Sequence, residues 1–166
     1  KGITKLILDV RNNPGGLLNQ AVEVTDRFLN KENLIVYTKG RSNEQNMRFT
    51  SHDKVAGVSY PMIILVNGGS ASASEIVAGA LSQHGVATLM GETTFGKGSV
   101  QELVDLPEGS SLKVTIARWF TPDGTSISEA GLPPDIEIKR TAEQIMADED
   151  PQLDAAIAWL KGDKSI

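Results

Sequence analysis

The chain has 166 residues, 40% of them apolar and 22% charged, with a formal net charge of −5 and no cysteine. That length builds one domain with a real core. The acidic balance argues against a general nucleic-acid binder, and the lack of Cys removes disulfides, thiolate-metal sites and cysteine nucleophiles. No apolar run approaches the roughly 18 residues of a membrane-spanning helix, which leaves membrane association unknown. Lys1 leads straight into a strand pattern, so we expect a piece of a longer protein whose targeting signals lie upstream.

In chain order, Ile3 to Val10 reads as a strand and Arg11-Asn-Asn-Pro-Gly-Gly16 as a tight loop. Leu17, Leu18, Ala21, Val22, Val24, Thr25, Phe28 and Leu29 recur at helical spacing up to Asn30. A strand over Leu34 to Lys39 completes a β-loop-α-β unit, the pattern of a parallel sheet with a crossover helix. Residues 40–59 read as a surface excursion with one short strand near Phe49. The unit repeats with a strand over Pro61 to Val66, a loop over Asn67 to Ala71, a helix over Ser72 to Gln83 and a strand over Val86 to Gly91. An antiparallel hairpin follows, Val100 to Leu106 and Ser111 to Phe120 around Pro107-Glu-Gly109. A brief strand spans Ile136 to Ile138. Asp150-Pro151 opens a closing helix with Asp as N-cap, whose core stripe is Leu153, Ala156, Ile157 and Leu160.

Two stretches carry possible chemistry. Asn67-Gly-Gly-Ser-Ala-Ser-Ala-Ser-Glu-Ile76 places serines where a strand breaks into a helix, and unpaired N–H groups at a helix start favour developing negative charge. Ser72-Ala-Ser-Glu75 also matches a capping box, in which the serine satisfies helix N–H groups. The small residues Gly68, Gly69, Ala71 and Ala73 leave room for a substrate backbone, which a cap does not need. Ser70 and Ser74 compete with Ser72, and spacing does not choose among them. In Gly91-Glu-Thr-Thr-Phe-Gly-Lys97-Gly-Ser-Val-Gln101, a lysine sits in a glycine-flanked loop, and a lysine kept from water can act as a base.

Other readings are poorer. Gly91-x-x-x-x-Gly96-Lys97 nearly spells a nucleotide-binding loop, but Gly98 stands where the metal-binding hydroxyl belongs and a strand, not a helix, follows. Of the two histidines, His84 falls at a helix C-terminus and His52 in a polar loop. Ser51-His-Asp-Lys54 matches Ser-x-x-Lys only formally. Asp9, at a strand end, is open to either a structural or a catalytic reading. Spacing gives no support to a metal or cofactor site.

The chain resembles the C-terminal processing (tail-specific) peptidases, the Ser-Lys proteases of family S41. The resemblance runs through Leu-Asp-Val-Arg-Asn-Asn-Pro-Gly-Gly (8–16), the serine stretch (67–76), the lysine stretch (91–101), Thr121-Pro-Asp-Gly, Gly131-Leu-Pro-Pro-Asp135 and Asp150-Pro-Gln-Leu153. It implies Ser72 as nucleophile, Lys97 as general base 25 positions on, and Gln101 orienting the lysine. It also implies an oxyanion hole from the N–H of Ala73 and one from Gly15 or Gly16. The implied fold is an α/β crotonase/Clp-protease-like core, with repeated β-loop-α-β units and a C-terminal hairpin and helix. Residues 1–166 would be the later part of a protease domain, without the PDZ domain that presents a substrate's C-terminus. The implied partners are proteins and peptides with exposed C-termini and the PDZ domain of the same full-length chain, and the implied location is extracytoplasmic. For the lysine to serve as base we expect it buried among apolar groups such as Phe95. The alternative is a catalytically incompetent piece, or a module of this fold that binds peptides or lipophilic ligands.

Overall fold

A computed structural model describes residues 2–52, 60–128 and 130–164. Two four-stranded sheets share the chain. The first is parallel: β1 (Leu6–Asp9), β4 (Met62–Val66), β5 (Thr88–Gly91) and β8 (Ile136–Glu137) lie side by side in that order. The second is antiparallel and runs β3 (Arg48–Thr50), β2 (Leu34–Gly40), β7 (Ser111–Phe120), β6 (Ser99–Asp105).

The apolar run Met62-Ile-Ile-Leu-Val66 makes β4 the centre of the molecule, with every residue at most 3% exposed. A strand covered on both faces needs no polar alternation, hence the unbroken run. Met62, Ile64 and Val66 face a cluster that joins helices α1 (Leu18–Asp26) and α2 (Ala73–Gln83) to Ile35 and Val36 of β2 and Trp119 of β7. Ile63 and Leu65 face the other way, onto the last helix, α4 (Pro151–Lys161), through Ala156, Leu153 and Leu160. Ile157 is not in this stripe; it is 37% exposed, and Trp159 packs there instead.

The architecture is the expected α/β one, and the second β-loop-α-β unit is a parallel crossover from β4 through α2 to β5. The first unit differs in its pairing. After α1 the chain leaves for the second sheet, where β2 pairs antiparallel with β3 and β7, while β1 takes β4 as its parallel neighbour. The hairpin β6–β7 thus extends a sheet that β2 begins. A helix not expected from periodicity, α3 (Ala142–Met146), starts at Thr141, whose Oγ1 accepts from the Gln144 N–H (3.3 Å) while the Gln144 side chain accepts from the Thr141 N–H (2.9 Å). The short strand expected near Phe49 is β3; the excursion's remainder at 53–59, and with it Lys54, lies outside the described residues.

Candidate active site

Three loops at the C-terminal ends of β1, β4 and β5 build a cleft, as expected for ligand sites of parallel sheets. The first carries Pro14-Gly-Gly16, the second turns into α2 at Ser72, and the third carries Lys97. Ser72, Ala73, Gly16, Lys97 and Gln101 all line one cleft of about 260 Å3, with Ser99, Lys113 and Trp119 among its walls.

The serines separate by their hydrogen bonds. Ser70 is fully buried, and its hydroxyl donates to the Val10 carbonyl (2.8 Å) while accepting from the Asn67 N–H (3.0 Å). Ser74 donates to the Asn13 carbonyl (3.1 Å). Both hold the first loop against the second. Ser72 is the N-cap residue of α2, but its hydroxyl makes no cap bond among the described residues. The Ser72 side chain faces the Glu75 backbone in the capping-box arrangement without closing a hydrogen bond, while the Ser72 N–H donates to Glu75 Oε2 at 2.8 Å. Ser72 also sits at φ 56°, ψ −114°, a conformation that costs a non-glycine residue about 1–3 kcal/mol. With this backbone Ser72 stands at the helix start and lines the cleft.

Glu75, at 0% exposure, joins the second loop to the third. Its Oε1 accepts from Thr94 Oγ1 (2.6 Å) and the Gly96 N–H (2.7 Å), and its Oε2 from the N–H groups of Ser72 and Lys97, the latter at 3.0 Å. Burying a carboxyl is unfavourable unless its oxygens are satisfied, and four donors satisfy these. The capping pattern points to Glu75 only as a cap; its hold on the lysine loop has no local signal in the sequence.

The first loop is seated against the second by close backbone contact. Gly15 has φ +92°, and a Cβ there would meet the Ala71 carbonyl oxygen at 2.5 Å and the Ala73 nitrogen at 2.7 Å. The Asn12 N–H donates to Asn67 Oδ1 (2.9 Å), and the Asn67 amide returns a bond to Asn12 Oδ1 (3.0 Å). Of the two candidate oxyanion glycines, Gly15 donates its N–H to Asn13 Oδ1 (3.0 Å), whereas Gly16 lines the cleft with Ala73 at the helix start.

Behind the loops, Arg11 uses all five of its N–H donors. Nη1 and Nη2 take Asp150 as a fork (2.8 and 2.7 Å), Nη1 also reaches Gln152 Oε1 (2.8 Å), and Nε and Nη2 take Asp9 (3.0–3.2 and 2.7 Å). Asp9 is therefore a structural partner. The Arg11 hydrogen bonds hold the Asp150 carboxyl at about 2, from an ordinary 3.8, against the effect of burial. Burial pushes Asp9 up, but the bonds from Arg11 outweigh it and leave it lowered. Gln152, 2% exposed, donates in turn to the Ile138 carbonyl (2.6 Å) and Glu92 Oε1 (3.3 Å), so α4 touches the first and third loops at once.

Two expectations meet a different arrangement. Lys97 and Gln101 are exposed, and Phe95, expected to cover the lysine, is itself 63% exposed and not part of the cleft wall. The remaining candidates are structural. His84 ends α2 with Nε2 2.7 Å from the Leu34 carbonyl oxygen, His52 lies in a loop with its N–H on Asp26, and Ser51 is hydrogen-bonded to the backbone at Asn30 and Asn33.

The site is therefore a cleft of an α/β domain with a serine at a strand-to-helix turn and a lysine on the neighbouring loop. The chain belongs to peptidase family S41, whose model matches residues 1–138. It is 52% identical over 134 residues to a carboxy-terminal-processing protease of Bartonella bacilliformis, covering 81% of this chain and 31% of that protein. It is 41% identical to a carboxyl-terminal-processing protease of Synechocystis, covering 100% and 39%. Among solved structures it is similar to a photosystem II D1 C-terminal processing protease (TM-score 0.71, 38% identity, 82% of this chain and 35% of that one). The chain therefore spans about a third of the length of these relatives.

Proposed function

We propose that this chain carries the catalytic dyad of a serine endopeptidase that cuts proteins near their C-termini. The observation that carries the reading is that Ser72, alone among the three serines of its turn, has no hydroxyl hydrogen bond to the first strand and loop and lines a cleft with Lys97 and Gln101. Ser72 Oγ attacks the scissile carbonyl as Lys97 Nζ takes its proton. The N–H groups of Ala73 and Gly16 receive the developing oxyanion. Lys97 returns the proton to the leaving amine, and water then releases the acyl group from Ser72. Gln101, two strand positions beyond Ser99 on the same wall, takes hold of the lysine once substrate and the rest of the protein close the cleft.

The names of the relatives support a protein substrate processed at its C-terminus. A PDZ domain within the longer protein and an extracytoplasmic location enter this proposal through the sequence resemblance alone. The exposure of Lys97 supports a second reading for the isolated chain, that it folds but does not turn over until the rest of the protein covers the lysine. The test is hydrolysis of an unfolded protein substrate by the whole protein and by residues 1–166. Ser72→Ala and Lys97→Ala should each abolish cleavage in the whole protein, while Ser74→Ala retains it. Cleavage by Ser72→Ala would overturn the assignment.

A further inference from the structure

β6 is the outer strand of the antiparallel sheet, and its first residues form a wall of the cleft. In an antiparallel pair, main-chain groups of successive residues point alternately toward the partner and away from it. Two hydrogen bonds set the phase here. The Trp119 N–H donates to the Gly98 carbonyl (2.7 Å) at one end, and the Leu106 N–H donates to the Ser110 carbonyl (2.8 Å) at the other. Both direct the even-numbered residues of β6 at β7. The one irregularity lies on β7, where Ile116 is the extra residue between Ala117, opposite Val100, and Thr115, opposite Gln101. The alternation along β6 is therefore unbroken. Ser99, Gln101 and Leu103 turn their N–H and C=O groups outward, along an edge that carries no strand among the described residues.

We propose that this edge is a substrate subsite, on which an extended peptide adds as a fifth strand while its scissile bond lies at Ser72. The proposal rests on the peptidase reading above. An edge that offers a donor and an acceptor every second residue, about 6.6–6.8 Å apart, matches an extended polypeptide main chain. The edge is continuous with the cleft, because Ser99 and Gln101 belong to both. Pairing through main-chain atoms also accepts varied side chains, which suits a substrate defined by an end instead of a sequence. Glu102, Asp105 and Lys113 on the exposed ribbon disfavour pairing of two such edges between copies of the chain.

The test uses the whole protein with a fluorogenic peptide and, separately, p-nitrophenyl acetate, an ester too small to reach from Ser72 to Leu103, which lies outside the cleft. Leu103→Pro deletes one outward N–H and leaves the ladder to β7 intact, and Leu103→Ala controls for the lost side chain. Leu103→Pro should raise KM for the peptide about 3- to 10-fold over Leu103→Ala, the worth of one hydrogen bond, with ester acylation unchanged. In wild type, replacing substrate amides by esters one position at a time should raise KM at every second position. A flat ester scan, or equal KM for the two Leu103 variants, overturns the edge subsite. A change in oligomeric state without a change in KM assigns the edge to a second copy and overturns it as well. Absence of both peptide and ester hydrolysis in wild type would instead overturn the peptidase reading, and this subsite with it.

Discussion

Ser72 and Lys97 donate their main-chain N–H groups to the same oxygen, Glu75 Oε2, at 2.8 and 3.0 Å. The two proposed reactive residues are thus registered to each other through the backbone, whatever their side chains do. Positioning by backbone has an advantage here, because the Lys97 side chain is exposed and has no partner among the described residues to fix it.

Glu75→Gln tests this registration. Each carboxyl oxygen accepts two donors, and Thr94 Oγ1 already accepts from the Leu132 N–H (2.7 Å). Neither orientation of an amide avoids setting an NH2 against N–H groups. The substitution should lower stability by about 1–3 kcal/mol, measured by urea unfolding, and reduce turnover in the whole protein at least tenfold. A stability loss below about 0.5 kcal/mol would show that the four bonds do not hold in solution.

Ser72 offers a case where stability and activity should part. Its hydroxyl makes no cap bond, so Ser72→Ala should forgo the usual cost of about 1 kcal/mol for removing a helix cap. Ser72→Gly should go further and stabilise the fold by about 1 kcal/mol, because glycine takes φ 56° without strain. Both variants should be inactive. Thermal unfolding checks the order Gly above Ala above or equal to wild type, and a less stable Gly variant would contradict the strained turn.

Asp150→Asn isolates a charge. Asparagine still caps α4, where Asp150 now accepts from the Leu153 N–H (3.1 Å), but it loses the ion pair with Arg11. Because the folded Asp150 lies at about 2 and the ordinary value is 3.8, its contribution is complete above pH 3.8 and disappears as the pH falls through about 2. Wild type should therefore exceed Asp150→Asn by about 1.5–3 kcal/mol at pH 7, with most of that difference gone by about pH 2, read from denaturant unfolding at both. A pH-independent difference would assign the effect to geometry alone.

The adjacent glycines should answer differently to one methyl group. Gly15→Ala drives a Cβ into the Ala71–Ala73 backbone at a positive φ and should cost about 2–4 kcal/mol, with loss of activity. At Gly16 an added Cβ meets nothing within 4 Å, so Gly16→Ala should fold normally. Circular dichroism melts of the two variants distinguish the cases, and equal melts would mean the first loop is not seated as described.

Much of this architecture is legible in the sequence where a pattern is local. The buried run of β4, the helix from Ser72 and the hairpin about Pro107 follow from periodicity and turn residues, whereas α3 is too short for periodicity to reveal and goes unread although Thr141 and Gln144 form a capping box. What is not legible is partnership over distance. Nothing in Leu34 to Gly40 says that β2 pairs with β3 and β7 instead of lying beside β1, since a strand's own residues do not name its neighbour. Ser70, Ser72 and Ser74 are alike in spacing and differ only in what their hydroxyls meet, which depends on Val10 and Asn13 some 60 residues earlier. Arg11 reads as a loop cation until Asp150 and Gln152 are found around it. The oxyanion pattern places Gly15 and Gly16 on equal terms, and only the turn made by Asn13 separates them.

The Arg11 cluster also has a consequence in time. Its loop lies near the start of the chain, and its partners Asp150 and Gln152 lie 139 and 141 residues later. At a synthesis rate of about 5–20 residues per second, the loop waits roughly 7–30 s for the helix that holds it from behind. Until then the guanidinium faces water and the rear of the cleft is unmade. The order of translation alone therefore delays a finished cleft until nearly the whole of this stretch has been synthesised.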